Sequence, residues 1–468
     1  MKDNHQYDLL VIGSGPGGQN AAIQGAKMGK KVALVDREMV LGGACVHQGT
    51  IPSKTLRESA LKLKAIKDKA QSFDFSLPQN LAVETLMSNL EKVLGGHTEF
   101  IEETLDHYQI ERLHGRANFC DPHTLEIMNP RGKVSQASAE YIVIATGSRP
   151  RNPPNIEIDH DNILDSDSIL RMLYLPESLL VLGGGVIGSE YASIFVLLGT
   201  RVTLMDTAPR PLMFLEKELT DLFLKHFQRY GGTYIGNTKE KRIYWDGLSK
   251  VVVEFDNGET IKVEKLLVTK GRLANVETLG LQKIGVHQGK YGLVSVDQFY
   301  RTNIDNIYAV GDIIGSPALA SCSMEQGRRA VSHAFGKPLT RDFSIVPIGI
   351  YSVPEIASVG LNEEQAKERH GSICVGRAHF NQVARGHIAG IEEGMLKLVA
   401  DAKGEELLGV QIVCDGATDL VHTGEFAILN QNKVDVFLDN VMNFPTLGEA
   451  YRIAAFNLKR SFKNEKKN

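Results

Sequence analysis

The chain has 468 residues, 43% hydrophobic and 23% charged, with a formal net charge of -4, a balance that excludes disorder and fibrous architectures. The slight acidic excess argues against a nucleic-acid or anionic-membrane partner, since either selects for a basic face. At ~100–200 residues per domain the length calls for roughly three or four domains.

No apolar run approaches the ~18 residues of a membrane span, and no apolar stretch follows the opening Met1 to Gln6, so neither a span nor a secretory signal is expected and the cytoplasm follows by default. The basic tail from Lys459 to Lys467 reads as a solvated terminus. Five cysteines (Cys45, Cys120, Cys322, Cys374, Cys414) are odd in number and far apart. That fits neither a disulfide framework nor metal-ligand spacing, so no metal is expected.

In chain order, the run from Tyr7 to Asp36 reads as strand, glycine turn, Ala-rich helix and strand, which is a βαβ unit. Its turn carries Gly13, Gly15 and Gly18. In that spacing the first glycine permits the tight turn, the second admits a pyrophosphate to the backbone, and the third lets helix pack on strand. Asp36 follows Gly18 by 18 residues, near the ~20 expected of an acid that grips a ribose. Residues 59 to 110 read as amphipathic helix, and 111 to 144 as short strands with turns.

A second βαβ unit opens at Ser178. It repeats the pattern with Gly183, Gly185, Gly188 and Asp206, and both acids stand 23 residues after their first glycine. Two such units suggest two separate dinucleotide-binding domains rather than halves of one. Residues 276 to 344 return to strand and loop, and from Ile345 onward strands and helices alternate as a further domain.

These motifs, in this order, resemble the pyridine nucleotide-disulfide oxidoreductase family, class I, over nearly the whole chain. The resemblance implies an α/β fold with two Rossmann-like domains and a C-terminal α+β dimerisation domain. It divides the chain into an FAD-binding domain (1–150 and 276–344), an NAD(P)-binding domain (151–275) and an interface domain (345–468). The "ATGSRP" stretch, Ala145 to Pro150, resembles the crossover between domains. "YAVGDIIG" resembles the second FAD motif, in which Asp312 would hold the ribityl chain, and "GIYSVPEIASVG" resembles the opening of the interface domain.

Carried over by position, FAD, one per subunit and non-covalent, would meet Gly13, Gly15, Gly18, Asp36, Arg37, Gly43, Ala44, Cys45, Lys54, Ala145, Thr146, Gly147, Gly311 and Asp312. NAD(P) would meet Gly183, Gly185, Val186, Ile187, Gly188, Glu190, Asp206 and Gly271. Lys54 would pair with Glu190 beside the reactive nitrogen of the flavin, where a cation favours hydride acceptance.

Two departures bear on the chemistry. Where disulfide-reducing members carry two cysteines, this chain has Cys45 and Thr50, and where they carry a base histidine ahead of a glutamate it has Phe444 ahead of Glu449. Neither a redox disulfide nor its proton shuttle is therefore expected. Cys45 reads either as a reactive thiol or as a packed small side chain, the commoner fate of a lone cysteine.

This combination resembles the soluble, Si-specific pyridine nucleotide transhydrogenases. It implies hydride transfer from NADPH through FAD to NAD, with NAD and NADP(H) as substrates, in a homodimer whose further assembly stays open. Asp206 opposes the 2′-phosphate of NADPH, and Arg210 either turns inward to compensate or stays solvated in its loop. An NADH dehydrogenase or diaphorase feeding quinone or oxygen remains an alternative. So do a dihydrolipoamide dehydrogenase, which Thr50 and Phe444 disfavour, and a non-catalytic flavoprotein sensor.

Overall fold

Unbroken apolar runs set the sheets. Leu9, Leu10 and Val11 are fully buried, as are Ile142, Val143 and Ile144, the pattern of parallel strands covered on both faces. The computed structural model describes residues 5–72, 82–339 and 343–465. Met1 to Asn4 and the end of the basic tail lie outside them.

In the first sheet Glu111–His114, Val32–Asp36, Tyr7–Ile12, Val134–Ile144 and Ile307–Ala309 run parallel in that spatial order. The outer half of Val134–Ile144 continues as an antiparallel meander with Thr124–Met128 and Arg116–Asp121. Of the stretch read as helix over 59 to 110, the described residues hold two helices, Thr50–Ser72 and Ala82–His107, and 73–81 lie outside the described residues.

The loop-and-strand reading of 276 to 344 needs correction, because Ala320–Ala334 is a 15-residue helix. It packs on the helix Pro16–Lys27 so closely that a Cβ on Gly327 would lie 2.2 Å from the Gly17 carbonyl oxygen. Its cue was weak, with serines and a glycine interrupting the apolar face.

The second sheet orders Thr233–Ile235, Arg201–Met205, Ser178–Leu182, Lys265–Val268 and Ile163–Leu164, all parallel. A three-stranded antiparallel ribbon is appended over residues 240–263. Strands Ser148–Pro150 and Arg272–Ala274 form a short antiparallel ladder where the chain passes between the two sheets. The last part is a five-stranded antiparallel sheet with helices against it, an α+β arrangement. There Lys459 lies within the helix Glu449–Glu465 and pairs with Asp435 at 2.9 Å. Among the described residues no helix is long and apolar enough to cross a membrane.

The last sheet is fastened to the second by charge. Lys397, 2% exposed on the strand Met395–Asp401, contacts Glu216, Glu218 at 2.6 Å and Glu363 at 3.2 Å. Arg377 adds bonds to Glu218 and Glu363 at 2.9 and 3.1 Å. Burial works to raise the Glu363 carboxyl, but hydrogen bonds from Lys367 and Lys397 outweigh it and hold it at about 2. A carboxyl held below its ordinary 4.5 stabilises the fold fully above that value and loses the contribution as pH falls through about 2. Lys397→Met leaves the buried Glu216 carboxylate without its cation and is expected to cost about 3–5 kcal/mol. Thermal melting at pH 7 against pH 3 checks this, and the variant should lose less than the parent on acidification.

Candidate active site

The two glycine turns are physical copies of one another. Gly13 and Gly183 both take positive φ, 105° and 117°, and their N–H groups donate to Val35 and Met205 carbonyls, each at 2.8 Å. A Cβ on Gly18 would lie 1.8 Å from the Gly13 oxygen, and one on Gly188 would lie 1.8 Å from the Gly183 oxygen. The third glycine in each triplet is therefore obligatory, because helix and turn touch backbone to backbone.

Gly15 and Gly185 cap the helices Pro16–Lys27 and Val186–Leu197 in extended conformation, and a Cβ on either would meet nothing within 4 Å. Each helix thus presents unpaired N–H groups toward open space, a cradle that fits the diphosphate of a dinucleotide.

Both acids brace their own turn. Asp36 accepts from the Ser14 N–H at 2.7 Å and the Glu38 N–H at 2.9 Å. Asp206 accepts from the Gly184 N–H and, at 2.8 Å, from the Ala208 N–H. Arg210 is half-buried and turns its donors to its own loop. Its guanidinium donates to the carbonyls of Leu212, Met213 and Leu215 and to the Thr220 hydroxyl. The loop turns through Leu212 at φ 51° and leaves carbonyls that a fork of donors satisfies, so Arg210 acts here as a brace of its own loop.

At the crossover Asp312 accepts from the Ser148 hydroxyl at 2.6 Å, and Arg272 donates to the Ser148 hydroxyl and carbonyl at 2.7 and 2.8 Å. Gly311 donates its N–H to Gln326 at 2.8 Å. Gly147, at φ 65°, has open space where a Cβ would stand. Gly271 takes φ 101° against Arg151, and Gly43 lies against the Gly15 backbone, where a Cβ would come within 3.0 Å of the Gly15 Cα. Ser148, Arg272 and Gln326 escaped sequence reading as site residues because their partners lie elsewhere in the chain, although Ser148 stands beside Gly147 and Arg272 beside Gly271.

Lys54 and Glu190, 136 residues apart, meet at 2.7 Å. The Glu190 side chain is 6% exposed and that of Lys54 25%. The second Glu190 oxygen accepts from the Tyr351 N–H at 2.9 Å. Cys45 sits on the short helix Gly43–His47, and Thr50 begins the helix Thr50–Ser72. Burial pushes the Cys45 thiol up, outweighing a hydrogen bond with Thr50 and the charge of Lys54 that pull it down. That favours the quiet reading of Cys45. None of the five cysteines is joined in a disulfide. Phe444 is 69% exposed, and Glu449 opens the last helix with its Oε2 buried and without a hydrogen-bond partner.

Gly18→Ala should yield protein without bound flavin, read from the absorbance of the purified chain. Gly188→Ala should keep flavin yet lose its reduction by nicotinamide nucleotides at least tenfold. Cys45→Ser should leave that reduction within about twofold, and alkylation of Cys45 should need a pH above the ordinary thiol range of about 8.5.

Known proteins agree with this arrangement. The pyridine nucleotide-disulphide oxidoreductase family matches residues 7–327, and its dimerisation domain matches residues 346–455. The chain is 39% identical over 455 residues to the soluble pyridine nucleotide transhydrogenase of Mycobacterium bovis, covering 97% of each chain. It is 39% identical over 457 residues to that of Pseudomonas entomophila, covering 97% of this chain and 98% of the relative. Among solved structures it resembles LpdA from Mycobacterium tuberculosis (TM-score 0.89, 25% identity, 96% of this chain and 99% of that one). It also resembles the HOCl-induced flavoprotein disulfide reductase RclA from Escherichia coli (TM-score 0.86, 25% identity, 96% and 99%). The chain belongs to the pyridine nucleotide-disulphide oxidoreductase family.

Proposed function

We propose that the chain is an FAD-dependent transhydrogenase that moves hydride between NADPH and NAD without a redox disulfide. One observation carries the reading: two intact dinucleotide turns flank a Lys54–Glu190 pair, while the position of the second redox sulfur is held by Thr50. Bound FAD supplies the two-electron carrier between the nicotinamides.

The residues of the chain then bind, orient and exclude. In this reading the Gly13 turn with Asp36, Arg37, Gly43, Ala44, Ala145, Thr146, Gly147, Gly311 and Asp312 holds FAD. The Gly183 turn with Val186, Ile187, Asp206 and Gly271 holds either nicotinamide nucleotide in turn. Both couples use that one site, so the first product leaves before the second nucleotide enters, as in a ping-pong cycle. Lys54, fixed by Glu190, places a cation beside the ring. No side chain needs to move a proton, which accommodates the replacement of a base by Phe444.

The assigned domains are 1–150 with 276–344 for FAD, 151–275 for NAD(P) and 345–468 for the interface. The match to the dimerisation domain supports a homodimer in which Phe444 and Glu449 face the partner's flavin cleft. The cytoplasm is the proposed location. The nicotinamides of the two substrates differ only through a remote phosphate, so cellular nucleotide ratios set the direction.

Steady-state assay of NADPH with thio-NAD tests the proposal, with parallel double-reciprocal lines expected. Negligible turnover alongside brisk quinone reduction would favour the NADH dehydrogenase reading, which gains support because Arg210 is committed to its own loop and leaves Asp206 uncompensated. A 2′-phosphate beside Asp206 meets like-charge repulsion of ~1–4 kcal/mol, about tenfold or more in affinity. Asp206→Asn should therefore raise the NADPH-to-NADH ratio of kcat/KM by about tenfold, measured as flavin-dependent turnover of each nucleotide.

A further inference from the structure

The Lys54 side chain is a quarter exposed and has one ionic partner among the described residues. A single ionic contact leaves a long lysine side chain much of its rotamer freedom, which must be given up to hold the ammonium in one direction. Besides the adjacent Ser53 hydroxyl at 3.3 Å, Lys54 has a further neighbour. The ring of Tyr351, which follows the strand Ile348–Ile350 in the third part of the chain, lies over the ammonium at 4.8 Å from the ring centroid. The N–H of the same residue donates to the Glu190 oxygen that Lys54 leaves free, at 2.9 Å. One residue thus orients both members of the pair.

The ring is itself anchored. The anchor is the backbone that carries the ring, since Tyr351 lies between Glu190, which its N–H meets, and Ser352, while nearby Thr418 donates its N–H and hydroxyl to one Glu355 oxygen at 3.1 and 2.8 Å. The other Glu355 oxygen meets the Arg57 guanidinium at 3.1 Å. Arg57, buried, also donates to the Ser352 carbonyl at 3.0 Å and lies three residues after Lys54 on the same helix. The helix that carries Lys54 thus holds the backbone next to Tyr351, so the ring has little freedom to drift from the ammonium whether or not it bears a hydroxyl.

We propose that Tyr351 is a positioning residue for Lys54, its π face holding the ammonium in the direction that serves the bound flavin. This rests on the reading that Lys54 lies beside the flavin ring. Cation–π attraction acts through the ring face, so phenylalanine preserves the function and an aliphatic side chain of similar length does not.

The test uses the FAD-loaded protein and two readouts taken without an electron acceptor, namely the rate of flavin reduction by NADPH in stopped flow and the flavin midpoint potential. Tyr351→Phe is expected within about twofold of the parent rate. Tyr351→Met should slow reduction about three- to tenfold and shift the potential negative, with NADPH affinity unchanged within about twofold; Tyr351→Leu serves in its place if the Met variant loses FAD. In a Lys54→Met background Tyr351→Met should add nothing. Parent rate and potential in Tyr351→Met, equal slowing in Tyr351→Phe, or a further loss in the Lys54→Met background would each overturn the proposal. Lys54→Met behaving as the parent would overturn the reading of Lys54 beneath it, whereas a slow Lys54→Met with a fast Tyr351→Met would overturn the role of Tyr351 alone.

Discussion

The architecture converges on a single buried carboxylate. Glu190, on the helix that follows the second glycine turn, would be costly to bury alone. It is tolerated because each oxygen has a donor from a different part of the chain, Lys54 from the first part and the Tyr351 N–H from the third. Neither glycine turn nor the antiparallel sheet supplies this arrangement by itself. The ladder between Ser148–Pro150 and Arg272–Ala274 and the charge cluster around Lys397 hold the three parts in the register that it requires.

The duplicated turns show how little sequence is needed to build a nucleotide cradle. The same φ reversal, the same backbone collision awaiting any Cβ and the same acid-to-turn brace recur 170 residues apart. What distinguishes the two copies lies around them. The first is pressed by the helix Ala320–Ala334 and faces Asp312 with Ser148, and the second leads into Glu190. Identical cradles with different surroundings are what a chain needs to keep one dinucleotide as carrier and exchange another.

Much of this was legible because it is local. Gly13-x-Gly15-x-x-Gly18 and Gly183-x-Gly185-x-x-Gly188 dictate their turns from six consecutive residues, and the exchange of a cysteine for Thr50 and of a base for Phe444 can be read from position alone. What was hidden depends on pairing at long range. The helix Ala320–Ala334 is specified by glycine contact with Gly17 more than by apolar periodicity. Arg210 looked available because sequence cannot show that its loop leaves three carbonyls for it to satisfy. Arg272 carries no motif of its own, Ser148 and Tyr351 stand inside recognised motifs without a role assigned to them, and all three acquire meaning from partners more than a hundred residues away.

The chemistry follows from what stands near Lys54. Cys45 is held as a thiol by burial, with Thr50 where a second sulfur would be needed, so electrons that reach the flavin have no disulfide to enter. Anaerobic titration with NADPH measures this directly. One equivalent per FAD is predicted to bleach the flavin completely, with no long-wavelength thiolate-to-flavin band and no uptake of a second equivalent; such a band together with a second equivalent consumed would contradict it.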